Sequence, residues 1–273
     1  MQFNLMFRHL RKLFERPKWA EYERLIVKAI ENGYRIMGVH EFWRNQNSLH
    51  NVLEKVLILR HDVDNSVKEA YRMFHLEKEL GVKSTFYFRW KTVSPLLIAE
   101  LQKEGFEVGF HHEPTTLSLP YLMAKGEYEE TQSLFEGDSR DKFIKSNQEQ
   151  LKNDVNQFRH IFGSIRSIVA HGHTVTTGKR INNSDIVTPE LLKNLGVMSA
   201  NDLMYENKYR FIAITDQDSV YGIWDKKTNS HDPHNLVDRG KNIMLLTHPS
   251  HWGKTIFKRL ATVKYHKWFG VIV

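Results

Sequence analysis

Two hydrophobic rhythms alternate along the chain. In "WAEYERLIVKAIENG", Tyr22, Leu25, Ile26 and Ala29 recur at helical spacing and the run stops at Gly33; the short apolar "YRIMGV" that follows reads as a strand. "KVLILR" is the next strand. "NSVKEAYRMFHLEKELG" then has Asn65 or Ser66 as N-cap and Gly81 as terminator, and leads into the aromatic strand "STFYF". "SPLLIAELQKEG" repeats the device with Ser94 as cap, Pro95 at the first helical position and Gly105 at the stop, before the strand "FEVGF". Residues 114–140 carry turn residues and no clean period, which predicts a surface excursion. A long helix over 141–162 leads into "RSIVA", and "TPELLKNLG" leads into "VMSA". "RFIAIT" and "SVYGIW" form a hairpin or two successive strands, and "NIMLLT" is the last clear apolar strand.

Helix and strand in regular alternation imply right-handed crossovers and a parallel sheet or barrel covered by helices, with its chemistry at the carboxyl ends of the strands. At 273 residues one α/β domain spanning 1–273 is expected, with a basic helical extension over 1–18.

That rule directs attention to the strand ends. "LILR" is followed by "HDVD", "FEVGF" by "HHE", "SIVA" by "HGH" and "MLLT" by "HPSH". Seven of the 15 histidines fall in these 14 residues, against about one for an even scatter. The chain has no cysteine, so a disulfide scaffold, a thiolate metal site and a cysteine nucleophile are all excluded. Histidine and carboxylate alone make a nitrogen and oxygen ligand set suited to zinc, and also to manganese, iron or cobalt. A divalent ion with an open position acidifies water and polarises a carbonyl, a further carboxylate can take the proton, and a histidine opposite can protonate the leaving group. The constellation reads as metal-assisted hydrolysis.

"VLILRHDVDNSVKEAYRMFHLEKELGVKSTFYFR", "GFEVGFHHE", "IVAHGH" and "IMLLTHPSHW" together resemble the NodB-like polysaccharide deacetylase superfamily, in a divergent bacterial branch with a HDVD strand end, over about residues 20 to 255. The resemblance implies a distorted (β/α) barrel of about seven parallel strands, with a metal, most readily Zn2+, held by one aspartate and two histidines. It puts the family's adjacent aspartates on Asp62 as base and Asp64 as metal ligand. Val63 intervenes, so on an extended strand both face one side and their roles are exchangeable. His111 becomes the first metal histidine and His248 the general acid. The second metal histidine would fall on Thr115. Its replacement is His112, Glu113 or a histidine of "HGH", with His171 favoured because it directly follows the buried strand.

His112, Glu113, His173, His251, Trp252 and Arg89 are expected to line the substrate site, Trp252 as a sugar platform and Arg89 as a partner for a substrate anion or for a structural ion pair. His61 alone reads more simply as a hydrogen-bonding residue. The expected activity is removal of an N- or O-acyl group from a sugar or glycan intermediate of bacterial surface-polysaccharide metabolism. The alternatives are a non-catalytic carbohydrate-binding or scaffold protein of the same fold, or hydrolysis of another C–N bond in a small metabolite. Arg8, Arg11 and Lys12 interrupt any signal-peptide core and no stretch approaches 18 apolar residues, so a soluble, cytoplasmic protein is expected. The net charge of +7 favours anionic partners, but no nucleic-acid motif accompanies it. Residues 1–14 set Leu5, Met6, Leu10 and Leu13 among cations. That pattern suits peripheral association with anionic lipid, although an ordinary packed first helix is the simpler reading. The oligomeric state is not legible.

Overall fold

The computed structural model describes residues 18–49, 55–115, 137–172, 181–205, 211–216 and 232–253. Helix α1 (Trp19–Glu31) buries the face formed by Trp19, Tyr22, Leu25, Ile26 and Ala29, and Gly33 turns the chain with φ 73° into β1 (Arg35–Met37). After α2 (Val39–Leu49) come β2 (Val56–Val63), α3 (Val67–Glu79), β3 (Thr85–Phe88), α4 (Pro95–Lys103) and β4 (Glu107–His112). The second half continues with α5 (Gly137–Phe162), β5 (Ser167–Ala170), α6 (Pro189–Leu195), β6 (Met198–Ser199) and α7 (Ala200–Tyr205). It closes with β7 (Ile212–Thr215), α8 (Pro233–Asp238), β8 (Ile243–Thr247) and α9 (Pro249–Trp252). Ser66 caps α3 as expected, accepting from the Glu69 amide, and Pro95 opens α4; Ser94 stands at the N-cap of α4 but makes no side-chain capping bond, and Thr188, before Pro189, accepts from the Leu191 amide at the start of α6.

Among the described residues every strand pair is parallel; seven strands run in the order β6-β5-β4-β3-β2-β8-β7 as a curled half-barrel, with β1 added beside β2 as an eighth, the distorted (β/α) architecture expected of the sequence. The short β1 pairs with the first residues of β2, and β3 with the last. "SVYGIW", "HGH" beyond Gly172, residues 116–136 of the expected excursion and the basic residues 1–17 lie outside the described residues, while 137–140, expected in the excursion, instead open α5.

Two cores follow from strand parity. Leu57, Leu59 and Val63 of β2 face outward, with Phe86, Phe88, Phe110, Ile168 and Leu245, against the covering helices. Ile58 faces inward with Tyr87, Val169 and Met244. The inward row of β2 therefore climbs from Val56 and Ile58 to Arg60, Asp62 and then Asp64: the barrel interior is apolar at its amino end and charged at its carboxyl end.

Helix α2 corrects the expectation of a strand through Val39. Glu107, at the start of β4, accepts from the amides of His40 (2.8 Å) and Glu41 (2.6 Å), and Thr85 from that of Val39 (2.8 Å), so donors at the helix start are satisfied from a distant strand. Gly38 is required there, because a Cβ would lie 2.6 Å from the Glu107 carboxyl. Val39 and Phe42 then close the amino end of the barrel against Met37, Val56 and Ile58.

Candidate active site

Parity also sorts the residues at the strand tips. Asp62, Asp64, His111, His171 and His248 line one cavity of about 440 Å³ at the carboxyl ends of the strands, with Arg60, Asn182, Ser184, Asn201 and Asp202 among its other walls. His61 and His112, each one residue out of step, do not line it.

Three atoms converge. Asp64 Oδ1 lies 3.1 Å from His111 Nε2 and 3.3 Å from His171 Nδ1, and the two imidazole nitrogens are 3.2 Å apart. His111 Nδ1 faces the Val169 carbonyl at 3.2 Å. A carbonyl only accepts, so Nδ1 carries the proton and Nε2 turns its lone pair inward. Asp64 Oδ1 is buried and makes no hydrogen bond of good geometry. Donors around a tetrahedral ion with ligand distances of about 2.0–2.1 Å stand about 3.3–3.4 Å apart, so the triad has both the spacing and the chemistry of a zinc-type ligand set. Burial works to raise the Asp64 pKa, but the adjoining His111 and His171 outweigh it and hold the carboxyl well below the usual range.

Asp62 sits beside the triad, 3.6 Å from His111 Nε2. Arg60 Nε donates to its Oδ1 (2.9 Å) and Nη2 to its Oδ2 (2.8 Å), while Arg60 Nη1 donates to Asn201 and the guanidinium lies over the Tyr87 ring. Burial alone would raise the Asp62 pKa. The Arg60 charge, then that of His111, reverses the sign, so the carboxylate stays ionised.

His248 Nε2 lies 3.8 Å from Asp64 Oδ2. Its Nδ1 meets Asp216 Oδ1 at 2.6 Å, and its backbone amide donates to Asp216 Oδ2 at 2.7 Å. Burial opposes protonation of His248, but the hydrogen bond and charge of Asp216 prevail and raise its pKa. Asp216 itself is held well below the carboxylate range: burial pushes it up, and the bonds from His248 and His251 more than compensate. Asp216, His248 and His251 form a second cluster with metal-ligating side chains, but the 2.6 Å approach is that of a hydrogen bond rather than of two ligands sharing an ion.

Four of the expected substrate residues, Arg89, His112, Glu113 and Trp252, are buried and do not line the cavity. Arg89 and Glu113 are buried against each other in a two-bonded ion pair. His112 is enclosed on the outer side of β4, where burial lowers its pKa to about 3. Trp252 is 1% exposed, donates its indole N–H to Asp216 at 3.1 Å and packs edge-on against Tyr22. His251 stays partly open, with Nδ1 3.2 Å from Asp216. His173 lies outside the described residues. His61 joins a buried network: Nδ1 meets Thr247 Oγ1 (2.6 Å) and Nε2 meets Glu77 Oε1 (2.7 Å), and Glu77 also accepts from Tyr22 and Ser84.

Sequence reasoning passed over Arg60 and Asp216. Arg60 was legible by parity, two residues before Asp62 on an extended strand. Asp216 follows "IAIT" just as the other polar tips follow their strands, but without a histidine to mark it.

No family model and no curated protein matches the chain. Among solved structures, it is similar to BA3943, a CE4 family pseudoenzyme from Bacillus anthracis (12% identity over 77% of this chain and 61% of that one, TM-score 0.39). It is also similar to a family 4 carbohydrate esterase from Bacillus anthracis (14%, covering 91% and 86%, TM-score 0.39) and to the peptidoglycan deacetylase PdaC from Bacillus subtilis (15%, covering 79% and 97%, TM-score 0.35). The chain thus spans less than two thirds of BA3943.

Proposed function

We propose that this protein is a metal-dependent hydrolase of the NodB-like polysaccharide deacetylase kind, removing an acyl group from a sugar or glycan. One observation carries the reading: the three atoms of Asp64, His111 and His171 face one another at 3.1–3.3 Å, between a carboxylate fixed by an arginine and an imidazole fixed by a carboxylate. Asp64, His111 and His171 would hold the ion, which supplies electrophilic assistance to an acyl carbonyl and acidifies a water.

Asp62 is the general base. Its two oxygens are steered by Arg60 and it remains ionised, so it can accept a proton without first losing one. His248 is the general acid. Asp216 accepts at Nδ1, which fixes the tautomer and favours the protonated ring, and Nε2 is turned toward the cavity to deliver its proton to the departing amine or alcohol. Base and acid both stand within 4 Å of a triad residue, Asp62 at 3.6 Å from His111 and His248 at 3.8 Å from Asp64.

The test is release of acetate from N-acetylated and O-acetylated sugars by chelator-stripped protein and by the same protein reloaded with Zn2+, Mn2+ or Co2+. Acetate release that returns with metal supports the reading. Tight metal binding without turnover on either bond type would count against deacetylation and favour a non-catalytic member of the fold or a hydrolase of another C–N bond.

A further inference from the structure

His171 leaves β5 where that strand is half supported. Its ladder to β6 covers only Ser167 and Ile168, whereas on the β4 side pairing runs to Ala170 and the His171 amide adds one more bond to the His112 carbonyl, at 2.9 Å. The His171 carbonyl is taken by Asn183 Nδ2, also at 2.9 Å. Asn183 Oδ1 in turn accepts from the amide (2.9 Å) and the hydroxyl (2.7 Å) of Thr115, just beyond β4. Asn183 and Thr115 are both fully buried. The amide orientation is determined by its partners, since the Thr115 N–H can only donate and the His171 carbonyl can only accept. A side chain at 183 must therefore donate at one end and accept at the other.

We propose that Asn183 is a positioning residue for metal binding: it ties the main chain of His171 to the end of β4 and so sets its Nδ1 against Asp64 and His111. The inference rests on His171 being a ligand. Its physical basis is tolerance. Nδ1 is close to the main chain along the side chain, so a backbone shift is passed on almost whole, while ligand distances are held within about 0.2 Å. His111 needs no such tie, because it lies within β4, paired to Val169 and with the Val169 carbonyl against its ring. Asn182 and Ser184, on either side of Asn183, line the cavity, so the same bond also links the ligand to the wall that substrate would touch.

The experiment measures the Zn2+ dissociation constant of the full chain by competition with a chromophoric chelator. Asn183→Asp keeps an acceptor for Thr115 but loses the donor to His171, and should weaken Zn2+ binding about 10- to 100-fold, the range for residues that orient a ligand. In a His171→Ala background the same change should have no further effect. Thr115→Val removes the hydroxyl donor to Asn183 but keeps the amide, so it should weaken binding by less than Asn183→Asp does, and Thr115→Ser should restore it, which gives an independent reading if Asn183→Asp does not fold. Wild-type affinity in Asn183→Asp, or in Thr115→Val, overturns the proposal while leaving His171 a ligand. A further loss in the His171→Ala background also overturns it, because the effect would then not pass through His171. Unchanged affinity in His171→Ala itself removes the underlying ligand assignment.

Discussion

Arg60 and Asp62 leave β2 two residues apart, on the same side of the strand, and meet in a buried two-bonded ion pair at 2.9 and 2.8 Å. Here the guanidinium is held by Asn201 and the Tyr87 face, and Asp62 is presented to the cavity with a fixed orientation.

Breaking one partner of such a pair leaves a buried charge alone. Arg60→Met should therefore destabilise the fold by about 3–5 kcal/mol, and Arg60→Met with Asp62→Leu by clearly less. Urea denaturation of the two single variants and the double variant measures this. Additive losses would show that the two side chains do not act as a unit.

The ligand and base assignments separate Asp64 from Asp62. Asp64→Asn, His111→Ala and His171→Ala should each lower bound metal, whereas Asp62→Asn should keep it and abolish turnover. Metal content and acetate release measured on the same samples decide. Loss of metal from Asp62→Asn equal to that from Asp64→Asn would mean the two roles are exchanged.

His248→Gln should retain metal and lower kcat by about 10²–10⁴, most for amide substrates, whose leaving groups need the proton. The pH dependence has a definite sign. Asp216 raises the pKa of His248, so the protonated acid persists to higher pH and activity falls as pH rises through that raised value. Asp216→Asn removes the supporting charge and should move this alkaline limb to lower pH, which a kcat–pH profile reads directly. A limb that stays in place in Asp216→Asn would detach it from His248.

His61 faces the covering helices, so His61→Ala should leave metal stoichiometry unchanged. The Glu77 carboxylate would lose a buried partner, at a cost of about 1–3 kcal/mol in stability. Metal loss in this variant would place His61 in the site.

Much of this was legible in the sequence because parity and punctuation are local. Ser66, Pro95 and Gly33 mark helix boundaries through a side-chain acceptor, a fixed φ and a positive φ, and an apolar strand ending in charge marks a tip. What was not legible depends on distant partners. Helix α2 is capped by Glu107 and Thr85, more than 40 residues away, so nothing near Val39 announces it. The pairing of Arg89 with Glu113, and the turn of Trp252 toward Asp216, likewise depend on neighbours brought by other strands. The count of seven histidines at the tips overstated the site. Adjacent histidines on an extended strand must face opposite sides, and Phe110 belongs to the outer core, so His111 enters the cavity and His112 does not.

The most direct test of the account is the position of bound metal, from anomalous diffraction at the absorption edge of whichever ion the purified protein carries. One ion per chain is predicted among Asp64 Oδ1, His111 Nε2 and His171 Nδ1, at about 2.0–2.2 Å from each. An ion centred instead on Asp216, His248 and His251, or no ion after saturation with Zn2+, would contradict it.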